Sequence, residues 1–295
     1  MKRTFKSFLL VFWAVFLLCT DLSAAGAGRK AVRDTVRILA IGNSFSQDAI
    51  EQNLYELAKA EGIPVIIGNA YIGGCSLERH VKNSRSGEGA YAYRKIEGDG
   101  IKKEAEKVSL QDIVDDENWD YVSLQQASSL SGQIETYEPW LTELYGYVKS
   151  RVGKKTRIIF HQTWAYSCDS DHKGFANYDR DQMKMYLSIV GASRKAARLV
   201  GIKTIVPSGT AVQNARTSFI GDNMTRDGYH LDLKWGRYTA ACAWFEKLFG
   251  NVTGNPYAPD GVSPEYRAAA QKAAREAVRH PFKVTEIAEW IKLGN

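Results

Sequence analysis

The sequence predicts an α/β domain in which a mostly parallel five-stranded sheet carries helices on both faces. Three observations predict it. Short apolar runs alternate along the chain with longer amphipathic ones. The short runs are rich in Val and Ile and lack strict polar alternation, as strands covered on both faces should. No Pro/Ser-rich linker, repeat or low-complexity tract divides the chain, so one domain accommodates it.

The strand candidates, in order, are 36–41, 64–67, 121–124, 157–160 and 204–206. Helical patterns fall between and after them, at about 49–60, 138–152, 181–199, 234–248 and 264–278, with a short one near 284–291. In the segment 88–106, Tyr91, Tyr93 and Lys95 alternate before Gly98-Asp99-Gly100, which reads as a β-hairpin inserted near the site. Strand-helix alternation implies parallel strands joined by right-handed crossovers, which bring the carboxyl ends of the strands to one edge. Ligand crevices of such sheets lie at that edge, so the polar sequences that follow each strand are where chemistry is expected.

The first residues point to export. Lys2, Arg3 and Lys6 precede an apolar run from Phe8 to Leu18, and small residues lead to Ala25-Gly26-Ala27. That order matches a secretory signal peptide with a small-x-small cleavage site. The run falls well short of the roughly 20 residues that cross a bilayer. Residues 1–27 are therefore expected to be a signal peptide and 28–295 a single mature domain, periplasmic or secreted, with no stable membrane span. Cys19 follows Phe16-Leu17-Leu18 rather than a small residue, which disfavours lipid attachment.

Removing the signal peptide takes away three cations and one carboxylate, so the net charge falls from +6 to about +4. With no run of five basic residues, that excess does not suggest a nucleic-acid partner. Cys75, Cys168 and Cys242 remain, an odd number that permits at most one intrachain disulfide. Cys242 sits in Ala240-Ala241-Cys242-Ala243-Trp244, a pattern for a buried thiol. CxxC spacing and Cys/His clusters are absent from the sequence, so a zinc site is not expected.

The first strand candidate runs into Gly42-Asn43-Ser44-Phe45-Ser46. A serine directly after a buried strand, with glycine allowing a sharp turn, is placed to project from the sheet edge. Its amide at a helix start suits a developing oxyanion. Ser44 or Ser46 could equally cap that helix. Much later stands Thr225-Arg226-Asp227-Gly228-Tyr229-His230-Leu231-Asp232. A histidine can take the serine proton, and a carboxylate on its other nitrogen fixes the tautomer and stabilises the imidazolium. Asp227 and His230 meet if the loop makes one turn, which Gly228 assists. Asp232 fits a helix-capping role better than Asp227 does.

These blocks resemble those of the SGNH (GDSL-like) hydrolases. Gly42-Asn43-Ser44 resembles the first block, usually Gly-Asp-Ser, and Asp227-Gly228-Tyr229-His230 resembles the last. Gly236, Arg237 and Tyr238 match what usually follows. The resemblance covers nearly the whole mature chain in order of elements, and is closest to a branch described only as a domain of unknown function. It implies a flavodoxin-like three-layer α/β/α sandwich and ester hydrolysis, with Ser44, Asp227 and His230 as catalytic residues.

The middle blocks match less well. The second block supplies a glycine amide to the oxyanion, which Gly73 or Gly74 of Tyr71-Ile72-Gly73-Gly74-Cys75-Ser76 can provide. The third block normally contributes an asparagine, whereas this sequence reads Leu124-Gln125-Gln126-Ala127. Glutamine carries the same amide on a longer stem, so Gln125 or Gln126 could substitute, with Gln126 favoured as nearer the strand end. After the fourth strand candidate, His161, Trp164 and Tyr166 are candidates for binding substrate, the aromatics by stacking on a sugar face, although His161 better fits a hydrogen-bonded structural role and aromatics also pack helices. His80, His172 and His280 have no partner at meaningful spacing.

The expected function is an exported serine esterase cleaving small acyl esters, acetyl foremost, from a small molecule or polysaccharide. Such serine chemistry requires no metal or organic cofactor. A GDSL-type lipase or thioesterase, or an acyltransferase, is the nearest alternative, since the same triad serves each. A non-catalytic glycan-binding protein on the same fold is the alternative of another class, encouraged by the missing asparagine.

Overall fold

The computed structural model describes residues 34–288, which fall into one compact unit. The proposed signal peptide, with Cys19 and the Ala25-Gly26-Ala27 site, lies outside the described residues, as does the end of the helix expected near 284–291.

Strand β1 (Val36–Gly42) forms the centre of a seven-stranded sheet. It pairs in parallel with β2 (Val65–Tyr71) on one side and β5 (Tyr121–Leu124) on the other. Parallel pairing continues from β5 to β6 (Arg157–His161) and then to β7 (Ile205–Val206). These are the five expected parallel strands. The expected hairpin also forms, as β3 (Tyr91–Glu97) and β4 (Ile101–Val108), which extend the sheet antiparallel from β2. The outermost strand, β4, is solvent-exposed along almost its whole length. Successive parallel strands are added on one side of β1 (β2) and then on the other (β5, β6, β7), so the crevice between connections opens above its carboxyl end.

The absence of polar alternation in β1 has a direct cause. Ile38 and Ala40 face one hydrophobic core while Leu39 and Ile41 face a second, all fully buried. Each such Leu or Ile stabilises the fold by about 1.5–3 kcal/mol relative to exposure. On the first face lie α1 (Ser44–Ile50), α2 (Leu54–Ala60), α7 (Ser208–Arg216), α8 (Trp235–Phe249) and α9 (Pro264–Arg279). On the second lie α3 (Leu77–Ser86), α4 (Leu110–Asp115) and α5 (Trp140–Arg151). Helix α6 (Gln182–Leu199), capped by Asp181, contributes Met185 and Ile189 to the first core and Ala192 and Ala196 to the second. The result is an α/β/α sandwich.

One expected helix is divided. The pattern at 49–60 resolves into α1 and α2, and α1 starts five residues earlier, at Ser44. Asn43 sets that start by accepting the Phe45 N–H at 2.9 Å. The break at Glu51 coincides with a buried carboxylate that accepts from Asn69 at 2.6 Å and pairs with Arg94 and Lys102 of the hairpin.

Candidate active site

The turn after β1 is sterically tight. A Cβ on Gly42 would lie 2.5 Å from Ser46 Oγ and 3.0 Å from the Gln125 side chain, so only glycine fits. Asn43 follows in extended conformation and donates its Nδ2 to Cys75 O at 2.9 Å. Ser44 is then the first residue of α1 and stays half-buried at the sheet edge.

A buried polar chain holds this turn from below. Gln125 donates Nε2 to Asn43 Oδ1 at 2.9 Å, which directs its Oε1 toward His161 Nδ1 at 2.8 Å. His161 therefore carries its proton on Nδ1, and its Nε2 accepts from Ser208 Oγ at 3.0 Å. Burial pushes the His161 pKa down to about 3, which keeps the ring neutral.

The Asp-His segment forms a narrow loop. Thr225 bridges Leu231, the Arg226 N–H donates to His230 O at 2.9 Å, and the Asp232 N–H donates to Met224 O at 2.9 Å. Gly228 at its tip has φ +86°, and a Cβ there would approach Ser170 Cα to 2.9 Å. Across the tip, Asp227 Oδ2 accepts from His230 Nδ1 at 2.6 Å, and Oδ1 accepts the His230 N–H at 2.7 Å. Burial pushes the Asp227 carboxyl up, but hydrogen bonds from the His230 ring and backbone outweigh it and hold the group below the usual carboxylate range. With Nδ1 committed to Asp227, His230 Nε2 is left to act as a base.

Chain folding brings this loop against the helix that begins at Ser44. The Phe45 and His230 rings lie 6.2 Å apart, and Phe45 stacks on Trp164 at 4.2 Å. Trp164 in turn donates Nε1 to Tyr229 O at 2.8 Å. Asp48, fully buried and one helical turn beyond Ser44, accepts the Leu231 N–H at 2.8 Å and pairs with Arg226 at 3.2 Å and Arg237 at 2.6 Å. Sequence reasoning missed Asp48. The available signal was a carboxylate inside an otherwise buried helical stretch, Phe45 to Ile50.

Gly73 and Gly74 lie exposed in the loop after β2, Gly74 at φ +61°. Like that of Ser44, their amides donate to no protein acceptor among the described residues. The glutamines differ from expectation. Gln126 accepts from the Leu77 and Ala127 amides at 3.0 and 2.9 Å and donates to Thr136 O and Oγ1 at 3.2 Å. Both side-chain amides are buried and hydrogen-bonded, Gln125 with Asn43 and His161, so neither stands ready as an oxyanion donor. The Gln126 side chain bonds backbone groups of Leu77, Ala127 and Thr136 instead, and Gln125 bonds side chains below the turn.

Trp164 and Tyr166 also depart from their expected substrate-binding role, whereas His161 takes the hydrogen-bonded structural role. Each is at most 1% exposed: the 225–231 loop covers Trp164 and Tyr166, while His161 is enclosed by Gln125, Ser208, Trp164 and Trp244. Trp164 forms a floor under that loop, and Tyr166 hydrogen-bonds Ser128 at 2.8 Å. Tyr229 is the aromatic side chain beside His230, with centroids 4.2 Å apart, and His172 packs against it at 4.7 Å. A cleft of about 590 Å³ opens along this loop, lined by Asp169, Asp171, Asp222, Asn223, Asp227 and Tyr229 among others. Cys75, Cys168 and Cys242 are free thiols, and Cys242 is buried. Among the described residues, no group of three or more His, Cys, Asp or Glu is placed to hold a metal ion, and no helix is long and apolar enough to cross a membrane.

Comparison with known proteins places the chain. A crystal structure of a DUF4886 family protein from Bacteroides uniformis is 61% identical, with a TM-score of 0.86 over 87% of this chain and 99% of that one. More distant similarity extends to an acetylxylan esterase from Geobacillus stearothermophilus, 13% identical, with a TM-score of 0.48 over 73% of this chain and 95% of that one. An α/β hydrolase from the metagenome of Lake Arreo is 14% identical, with a TM-score of 0.46 over 72% of this chain and 94% of that one. No curated protein matches by sequence. Residues 37–277 match the family model of a domain of unknown function, DUF4886, and the chain belongs to that family.

Proposed function

We propose that the chain is an exported serine esterase that removes small acyl groups, acetyl foremost, from carbohydrate. The observation that carries this reading is the short Asp227–His230 pair on a loop docked against the helix that starts at Ser44.

In the proposed reaction Ser44 Oγ attacks the ester carbonyl carbon while His230 Nε2 takes the hydroxyl proton. Asp227 stabilises the resulting imidazolium and keeps the ring in the tautomer that leaves Nε2 facing outward. The amides of Ser44 and of Gly73 or Gly74 donate to the oxyanion of the tetrahedral intermediate. Collapse of the intermediate breaks the carbon–oxygen bond to the alcohol, which leaves with the proton from His230. Water, deprotonated by the same histidine, then attacks the acyl-enzyme, releases the acid and restores Ser44.

The polar cleft along the 225–231 loop, which Asp227 lines but Ser44 and His230 do not, supports the carbohydrate reading. Its carboxylates and Asn223 offer hydrogen bonds to an alcohol rich in hydroxyls, whereas a long acyl chain would require apolar walls. Hydrolysis of 4-nitrophenyl acetate by the mature chain and by Ser44→Ala tests the mechanism, since equal rates from the two end it. Acetate released from acetylated glycans tests the substrate class. If a fluorophosphonate probe leaves Ser44 unlabelled, a non-catalytic glycan-binding protein becomes the better reading.

A further inference from the structure

We propose that Asp48 is a positioning residue that sets the placement of His230 relative to Ser44. This rests on the esterase reading above. The two candidate groups belong to segments 186 positions apart, Ser44 at the start of α1 and His230 on the 225–231 loop. The loop is braced internally by its Thr225–Leu231 bridge and by the Arg226 N–H bond to His230 O. Those bonds fix its shape but not its position against α1.

Trp164 and Ser167 hold the loop to the segment after β6, through Tyr229 O and Gly228 O, and Asp48 supplies the direct polar tie to α1. It stands four residues after Ser44, so one helical turn places both on the same side of α1. Its Oδ2 accepts the N–H of Leu231, the residue next to His230, and also pairs with Arg226, the residue next to Asp227. Its Oδ1 pairs with Arg237 of α8. One carboxylate thus grips both ends of the Asp227–His230 segment and anchors it to a third element. Arg226 tightens the grip by also donating to Leu231 O.

The energetics favour a fixed arrangement. The Asp48 side chain is 0% exposed and that of Arg237 is 7% exposed, so neither charge can exchange its partner for water. Replacing the carboxylate leaves a buried cation and weakens the acceptor for a buried amide. The loop then gains freedom to shift against α1 while its internal bonds persist. Proton transfer between Ser44 and His230 is sensitive to such a shift, since a displacement of about 1 Å can cost about 10²-fold in rate.

The experiment compares the mature chain with Asp48→Asn and Arg226→Met. The measurements are 4-nitrophenyl acetate hydrolysis, the rate and final extent of fluorophosphonate labelling of Ser44, Tm, and the far-downfield NMR resonance of the His230 Nδ1 proton. Asp48→Asn is expected to lower kcat by about 10²-fold with KM within about threefold. Labelling should slow in parallel but reach the same extent, and the downfield proton should persist because the Asp227 bond survives. Arg226→Met should act in the same direction, by about tenfold, and it decides the matter if Asp48→Asn fails to fold, because its side chain is 32% exposed. A folded variant with wild-type kcat overturns the positioning role, as does a loss that traces to fewer labelled sites rather than slower ones. Undiminished hydrolysis by Ser44→Ala sinks the esterase reading itself, and the positioning role with it.

Discussion

His230 donates twice to Asp227, from ring Nδ1 to Oδ2 at 2.6 Å and from its backbone N–H to Oδ1 at 2.7 Å. One carboxylate therefore orients the imidazole and also closes the turn that carries it. Asp227→Asn keeps the shape but can turn a donor toward Nδ1, which favours the wrong tautomer. Expected kcat falls by about 10³–10⁴-fold, with KM little changed. Steady-state kinetics on an activated acetyl ester check it, and a loss under tenfold would show that Asp227 does not orient the base.

The same pair predicts a limit in acid. Asp227 is held below its ordinary range in the folded state, so its stabilising contribution is complete above the unfolded carboxylate pKa, about 4. That contribution fades as pH falls through the lower folded value. The Tm difference between wild type and Asp227→Asn should accordingly shrink between about pH 5 and pH 2. A constant difference across that range would contradict the assignment.

Two buried histidines add acid sensitivity of a different kind. Burial pushes His161 down to about 3, and burial aided by Arg79 does the same to His80. Both rings are neutral when folded but accept a proton on unfolding below their ordinary pKa of about 6.5. Their contribution is therefore whole above that value and is lost as pH falls toward 3. Each should add about 1.4 kcal/mol per pH unit to the slope of stability at its steepest. Chemical denaturation from pH 4 to 6 should show about one fewer linked proton in His161→Gln and in His80→Gln. Unchanged slopes would mean that these rings exchange with water.

Gln126 offers a test of what it does not do. Its amide serves the Leu77 and Ala127 N–H groups and Thr136. Gln126→Ala leaves those buried groups without partners, at a cost of about 1–3 kcal/mol. Thermal unfolding should show that loss, while kcat measured well below Tm stays within about threefold. A fall of about 10²-fold in kcat with an unchanged Tm would restore Gln126 as an oxyanion donor.

Much of the architecture was legible because both faces of the parallel strands are covered, which leaves runs such as Val36–Gly42 without polar interruption. Ser44, Asp227 and His230 were legible for a related reason: a strand-end serine and a DxxH turn are local patterns. Local pattern fails where partners are remote. Helix α7 is buried along every residue yet carries Ser208, Thr210, Gln213, Asn214 and Arg216, so it shows no apolar stripe to mark its period. Trp164 and Tyr166 follow a strand end, where loops are normally open, yet a loop some 60 positions later closes over them. Asp48 finds its backbone partner 183 residues away, and nothing near it in the sequence names that partner.

The exposed outer strand β4 governs how the molecule can meet its neighbours. Its outward N–H and C=O groups form a template that another chain could extend, a route to fibrous growth. Lys102, Lys103, Glu104, Glu106 and Lys107 crowd that margin with both signs of charge. Lys102, Lys103 and Glu104 are already paired with Glu51, Glu97 and Arg94, so an incoming strand must accommodate these charged side chains to gain a few hydrogen bonds. The sheet thus ends in a border that discourages stacking of copies.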